Sequence, residues 1–252
     1  LGRLKVADVT RADVAKFHHD LRHIPYQANR NLEVISKMFS MAEMWGMRPD
    51  GSNPRLHIKK YPEEKRERYL SQKELSDLGS VLNEAEEMGV DNIYAISAIR
   101  LLIFTGCRLN EIMSLKWTEV DFANSCLRLS DSKTGARVVH LGPPALDLLK
   151  NLKQQPKNPW VICGKIPGTN RKEIQKFWQR IRKRAGIEDV RIHDLRHSFA
   201  SNAVAQGMSL PMIGKLLGPT QVQTTARYAH LAADPVKAAA RSVSSNTFDS
   251  LN

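Results

Sequence analysis

Five side chains scattered along this sequence have the chemistry that metal-free attack on a phosphodiester needs. They are Arg108 in Thr-Gly-Cys-Arg-Leu-Asn-Glu, Lys133 in Ser-Lys-Thr-Gly, His193 and Arg196 in His-Asp-Leu-Arg-His-Ser, and Tyr228 near the C-terminal end. The reaction takes a nucleophile, positive charge on the non-bridging oxygens and a proton for the leaving oxygen. A guanidinium serves the second task, because its planar fork donates two parallel hydrogen bonds to a phosphate and keeps its charge. His193 and Arg196 stand three residues apart, so on the first turn of one helix they project from nearly the same face and can touch one phosphate. Lys133, at the tip of a hairpin, can swing its ammonium into a cleft. A tyrosine hydroxyl ionises near pH 10, so Tyr228 needs a base or a strong positive field to act as a nucleophile.

Taken singly, each residue also has an ordinary reading. Arg108 can be an exposed arginine at a helix start. Asp194 can cap a helix against which His193 packs, Ser-Lys-Thr-Gly can be a polar turn, and Tyr228 can anchor a terminal helix. A metal at His193 and Asp194 needs further ligands at suitable spacing, and none stands out, so neither metal nor cofactor is expected.

The elements that must position these groups come next. The 252 residues suffice for one large or two modest domains with a real core. The formal charge of +12 favours a polyanionic partner, duplex DNA or RNA, through counterion release. Cys107, Cys126 and Cys163 are too few and too scattered for a disulfide framework or a zinc knuckle, and read as reduced thiols in or near the core. Arg100 interrupts the apolar stretch over residues 93–104, no run reaches membrane-spanning length, and no signal peptide is evident. The chain begins at Leu1 without a Met, and a piece of a longer protein is expected.

Periodicity predicts helices over residues 11–22, capped by Thr10, and 27–45, with Leu32, Ile35, Met38, Phe39 and Ala42 on the buried stripe. Prolines, Gly51 and a run of charge mark residues 48–68 as a linker. Beyond it Ser71 and Glu74 form a capping box, and an apolar helix over residues 91–104 leads through Thr105-Gly106 into a short helix over 110–115. Residues 125–129 and 137–141 alternate as two strands around a turn at 131–135. Helices follow over 143–154, 171–184 (basic, with Ile174, Phe177, Trp178 and Ile181 as its stripe), 194–206 and 209–216, with one more leading into Tyr228. The fold expected is mainly α with a small antiparallel β-sheet, an α+β chain.

Each piece is bland alone, but the ordered set is not. Gly-x-Arg-x-x-Glu, a hairpin Lys, His-x-x-Arg-His, then Leu-Leu-Gly followed nine positions later by Arg-Tyr-Ala-His resembles the catalytic domain of the tyrosine recombinases, the phage integrase family, over roughly residues 69–235. The resemblance implies that Arg108 and Arg196 clamp the scissile phosphate and that Lys133 protonates the leaving 5′ oxygen. His193 would assist proton transfer, and Tyr228 would become linked to the 3′ phosphate. The covalent link conserves the energy of the broken bond, so neither ATP nor metal is required. Residues 1–62 would be a helical core-binding domain lacking its start, and 63–252 the catalytic domain with a C-terminal tail. The expected partner is duplex DNA at attachment sites, gripped as by a clamp, with Lys59, Lys60, Arg66, Arg171, Lys172 and Lys176 as candidate backbone contacts. A homotetramer on paired sites is expected, with accessory DNA-bending or directionality proteins, in the cytoplasm of a bacterial host, integrating or excising a phage or mobile element. The tail over residues 232–252 would either dock on a neighbouring protomer or fray.

One position departs from the pattern. After Leu217-Gly218 the family usually carries a His or Trp that donates to the phosphate; here stands Pro219, which offers no donor on side chain or nitrogen. The loss of one such donor costs roughly 3 kcal/mol, a hundredfold to a thousandfold in rate, unless His230 or His197 compensates. Two rivals follow. One is a DNA-binding protein of the same fold with impaired cleavage, the other a type IB-like relaxing topoisomerase.

Overall fold

The computed structural model describes residues 2, 4–64, 66–89, 92–130 and 135–218. Lys133, Pro219, Tyr228, His230 and the tail expected over 232–252 lie outside them. The chain divides into two compact units, residues 1–67 and 68–252.

In the first unit a short 3-10 turn (Val6–Asp8) precedes α1 (Arg11–Asp20) and α2 (Pro25–Met44). Thr10 caps α1 as its sequence suggests: its hydroxyl accepts from the Asp13 amide, and the Asp13 carboxylate accepts from the Thr10 amide. Pro25 opens α2, where its missing N–H costs nothing. Val9, Val14, Leu32 and Phe39 form the small core. Met38, expected on the buried stripe, is 61% exposed; Phe39 takes the core position beside it, and helical geometry turns its neighbour outward.

The stretch expected as a linker is in large part tied down. Arg48 donates to the carbonyls of Val6, Ala7 and Val9. Asn53 donates to Ser36 O and Ser40 Oγ. The fully buried Asn29 accepts from the Tyr61 amide and donates to the Tyr61 carbonyl, while His18 stacks on the Tyr61 ring at 4.3 Å. Polar and proline-rich composition reads as linker, but these side chains satisfy loop backbone instead.

The second unit holds α3 (Gln72–Glu87), α4 (Ile93–Thr105), α5 (Leu109–Met113), a 3-10 turn (Trp117–Glu119), β1 (Val120–Asp121), β2 (Cys126–Leu129), β3 (Arg137–His140), α6 (Pro143–Asn151), α7 (Gln175–Arg184), α8 (Ile192–Ala205) and α9 (Leu210–Leu217). The strands form one antiparallel sheet in the order β1-β2-β3, with Leu127 opposite Val139 and Leu129 opposite Arg137. Alternation in the sequence shows β2 and β3; the two-residue β1 is too short to leave a period.

α4 is the axis of the unit. It is apolar all round, and Ala95, Ile96, Ala98, Ile99 and Leu101 are wholly buried, as such a helix must be. Its one charge, Arg100, reaches out to Glu86 and Asn83 on α3. α3, α5, α6 and α8 pack against α4. Trp178 of α7 fills the core and donates to Val190 O at 3.0 Å, a carbonyl that Arg182 also bonds. This fixes the turn that leads into α8. All three cysteines are free and buried. Among the described residues no helix is long and apolar enough to cross a membrane.

The start of the unit is pinned by Arg68, which pairs with Glu74 and Asp189, while Leu70 donates its amide to Ser198 Oγ on α8. The Arg68 guanidinium, with the Ser71 amide, holds the Glu74 carboxyl at about 2, below an ordinary 4.5. A carboxyl with a lower pKa folded than unfolded stabilises the fold above the unfolded value and loses that contribution as pH falls through the folded one. Glu74→Gln is therefore expected to flatten the acid limb of stability between about pH 4.5 and pH 2. Urea midpoints measured across that window check it, and an unchanged slope sinks it.

Candidate active site

α4 ends at Gly106, whose φ of +61° belongs to the left-handed region. A Cβ there would lie 2.6 Å from Phe199 Cδ1. Only glycine permits both the turn and the close approach of α8. The turn delivers Cys107 and Arg108 to the start of α5, with Arg108 at the N-cap position.

Glu111, one turn on, is the acceptor around which the site is built. Its Oε2 takes the Arg108 amide at 2.8 Å and Arg137 Nη2 at 2.7 Å; its Oε1 takes Arg108 Nη1 at 2.9 Å. Burial pushes this carboxyl up, but the Arg108 amide and the charge of Arg137, with the hydrogen bonds from both arginines, hold it below its ordinary value.

Arg196 comes from the first turns of α8 and is buried. Its Nη1 donates to Gly106 O at 2.6 Å and its Nη2 to Leu217 O at 2.8 Å. One side chain thus gathers the α4–α5 corner and the end of α9. Burial, then repulsion from Arg108 and Arg137, pulls its pKa down to about 10, so it stays charged at neutral pH. Arg108 and Arg137 share the carboxylate of Glu111, Arg196 lies near enough to be repelled by both, and among the described residues this group carries an excess of positive charge.

His193 sits on the same turn of α8 but is exposed, its ring edge-on to His197 at 4.9 Å between centroids. With Arg196, Arg182 and Arg191 it lines a cleft of about 320 Å³ floored by Leu102 and Trp178. Asp194 is buried and accepts from the Arg191 amide at 2.8 Å, so it is a cap and His193 faces the cleft. Burial raises the Cys107 thiol above its ordinary value, which makes it a poor nucleophile. Among the described residues no three His, Cys, Asp or Glu side chains are grouped to hold a metal.

The structure therefore brings Arg108 and Arg196 together and sets His193 beside Arg196. Lys133 belongs to the hairpin between β2 and β3, and Tyr228 follows α9, both outside the described residues. The six candidate backbone contacts are distributed over both units. Lys59, Lys60 and Arg66 are exposed in the first, although Lys60 pairs with Glu33 at 2.6 Å. Lys172 is exposed just before α7 and Lys176 in its first turn, and Arg171 is half-buried with its Nε bonded to Glu173 O. Sequence reasoning did not single out Glu111 or Arg137. The available signals were the Arg-to-Glu spacing of a capping box and an arginine falling on the buried face of an alternating strand, where Arg137 and Val139 lie.

With this geometry in view, the comparisons with known proteins agree. Residues 68–234 match the family model described as "Phage integrase family", and the chain belongs to that family. A tyrosine recombinase of Thermosipho africanus is 30% identical over 81% of this chain and 71% of its own. A probable integrase/recombinase of Acholeplasma phage L2 is 30% identical over 52% of this chain. The chain spans about half the length of that relative, 47%. Among solved structures, the Tn1549 transposon integrase in complex with transposon right end DNA superposes with a TM-score of 0.72 at 16% identity, covering 96% of this chain and 87% of the other. A lambda integrase dimer bound to a core site gives 0.69 at 19% identity, over 89% and 81%. At such identities the likeness is one of fold, mainly α with the small antiparallel sheet.

Gly106→Ala is expected to cost about 1–3 kcal/mol, from the left-handed φ and the overlap with Phe199, and to displace the carbonyl that Arg196 holds. Urea unfolding measures the first effect. Wild-type stability would mean that Phe199 gives way freely.

Proposed function

We propose that this chain is a site-specific DNA recombinase, cutting and rejoining duplex DNA through a phosphotyrosine. The observation that carries the reading is the cluster of Arg108 with the buried Arg137 and Arg196 about one carboxylate, and His193 lining the same cleft as Arg196. Such a cluster has an unmatched positive charge and lacks only an anion. Preorganised guanidiniums in a water-poor site stabilise the charge that builds on a phosphate as it is attacked.

In the reaction proposed, the Tyr228 oxygen attacks phosphorus, the tyrosine–phosphorus bond forms and the bond to the 5′ oxygen breaks. The departing oxygen takes a proton from Lys133, and His193 assists proton movement. Arg108 and Arg196 hold the non-bridging oxygens throughout. The reverse attack by a 5′ hydroxyl restores the backbone, so no step consumes ATP or calls on a metal.

The partners proposed are duplex DNA at specific sites and further copies of the same chain, as a homotetramer on paired sites, with accessory bending or directionality proteins. The relatives named above act as support here: one solved relative holds transposon end DNA and another a core site. The setting proposed is the cytoplasm of a bacterial host. Residues 1–62 serve as the core-binding domain and 63–252 as the catalytic domain and tail. The basic residues Lys59, Lys60, Arg66, Arg171, Lys172 and Lys176 are assigned to the DNA backbone.

Pro219 supports a second reading, a DNA-binding protein of the same fold whose cleavage is slowed because the position after Leu217-Gly218 has no donor. Incubation of wild type and Tyr228→Phe with nicked duplex carrying a candidate attachment site, followed by denaturing gels, separates the two. The recombinase reading expects a 3′-linked adduct from wild type alone without added metal, and a rate rising about a hundredfold or more in Pro219→His. Tight binding with no adduct favours the second reading. Relaxation of a plasmid lacking any site would instead indicate a topoisomerase. For the backbone contacts, Lys172→Ala and Lys176→Ala are each expected to weaken DNA binding and reduce the salt slope by about one. An unchanged slope removes that residue from the interface.

A further inference from the structure

We infer that Arg137 is a positioning residue of this site, coupling Arg108 to the end of α9 through Glu111 and Gly218. The inference rests on the recombinase reading and adds to it a residue that the sequence pattern did not select.

Arg137 opens β3 on the strand's buried face, and its side chain is only 4% exposed. Nη2 donates to Glu111 Oε2 at 2.7 Å and approaches Cys107 Sγ at 3.5 Å. Its Nε and Nη1 are also buried, yet make no hydrogen bond among the described residues. Leaving two guanidinium nitrogens dry and idle is costly. An apolar side chain of similar reach would fill the same space without that cost.

Two consequences of its placement account for a guanidinium here. First, Arg137 occupies one oxygen of Glu111 while Arg108 Nη1 occupies the other, so the carboxylate plane, and with it the Arg108 fork, is set from the β3 side. Without Arg137, Oε2 would answer only to the Arg108 amide. Second, the Arg137 side chain packs closely against Gly218. A Cβ there would stand 2.8 Å from Arg137 Cδ and 3.0 Å from Cζ, closer still to Nη1, and φ is +83°. Arg196 meanwhile bonds the carbonyl of Leu217. Residues 217 and 218 are thus held by Arg196 and bounded by Arg137, and the sequence runs on from this point to Tyr228. The nucleophile's segment therefore departs from a place fixed by the same side chain that orients Arg108.

The test is single-turnover adduct formation on a nicked attachment-site duplex at saturating DNA, with DNA affinity and thermal midpoint measured alongside. R137M is expected to slow adduct formation about 10- to 100-fold, the usual effect of removing a partner that orients a functional ligand, while DNA affinity changes little. R137K restores part of the rate. E111Q and R137M combined are no slower than the slower single variant, because both act through one contact. R137M cleaving at the wild-type rate overturns the inference, as do rate losses that multiply in the double variant. Should R137M fail to fold, R137K and G218A decide: each is expected to cut slowly while binding DNA, and wild-type rates in both overturn the coupling. Wild-type protein that makes no adduct sinks the recombinase reading separately. Arg137 is then read from the inorganic phosphate needed to raise the thermal midpoint, which R137M is expected to increase about tenfold; an unchanged requirement overturns the inference there too.

Discussion

The constraint on which this structure turns is the sharing of one buried carboxylate among too many arginines. Glu111 accepts from the Arg108 amide, the Arg108 guanidinium and the Arg137 guanidinium, and Arg196 lies close enough to feel both charges. Buried like charges repel, and removing one member of such a group leaves the others uncompensated, at about 3–5 kcal/mol. The arrangement is therefore a poor device for stability. In the reaction proposed it would become favourable when a doubly ester-linked phosphate supplies negative charge, and most favourable when that charge grows during attack. Burial first, and the charges of Arg108 and Arg137 second, bring Arg196 down to about 10, which leaves the group cationic at neutral pH.

Holding such a cluster requires a rigid frame, and α4 is that frame. A helix apolar on every side can only sit at the centre of its unit, where α3, α5, α6 and α8 all pack against it. Its end at Gly106 is thereby located, and the left-handed turn there does two things at once. It points Arg108 at Glu111, and it offers a carbonyl to Arg196 across a contact with α8 too close for any side chain. The functional groups stand at the ends of elements while the elements themselves are locked. Catalytic side chains are placed most accurately in that way.

Much of this was legible in the sequence because it depends on local physics. The Thr10 and Ser71 caps, the apolar α4, the paired strands and the stripe of α7 follow from spacing alone, and the structure has them. The misses are tertiary. Met38 faces outward because Phe39 fills the core position next to it, a choice that depends on what α1 presents. Residues 48–68 read as linker, yet Arg48, Asn53 and Asn29 tie much of that stretch to the rest of the first unit. Within the site, Arg108, His193 and Arg196 could be selected by type and context. Arg137 could not, since its role is visible only once β3 is seen to turn that face towards Glu111. A period of two says which residues share a face, not what lies beneath it.

The same inventory bears on the proline at position 219. A guanidinium has five N–H donors. Bonds to described residues engage two of them on Arg196 and one on Arg108. If the phosphate is gripped here, Arg108 and Arg196 each bring donors to its oxygens, and a donor at position 219 is one contact among several. What a neutral donor at that position adds is direction rather than charge. Its loss is felt where charge shifts from one oxygen to another during the reaction, and much less where the phosphate is merely bound. On the proposed reading, the expectation is DNA binding little affected by Pro219 and a slower cleavage step. That expectation follows from a site that sets two buried arginines and the partly exposed Arg108 about one acid.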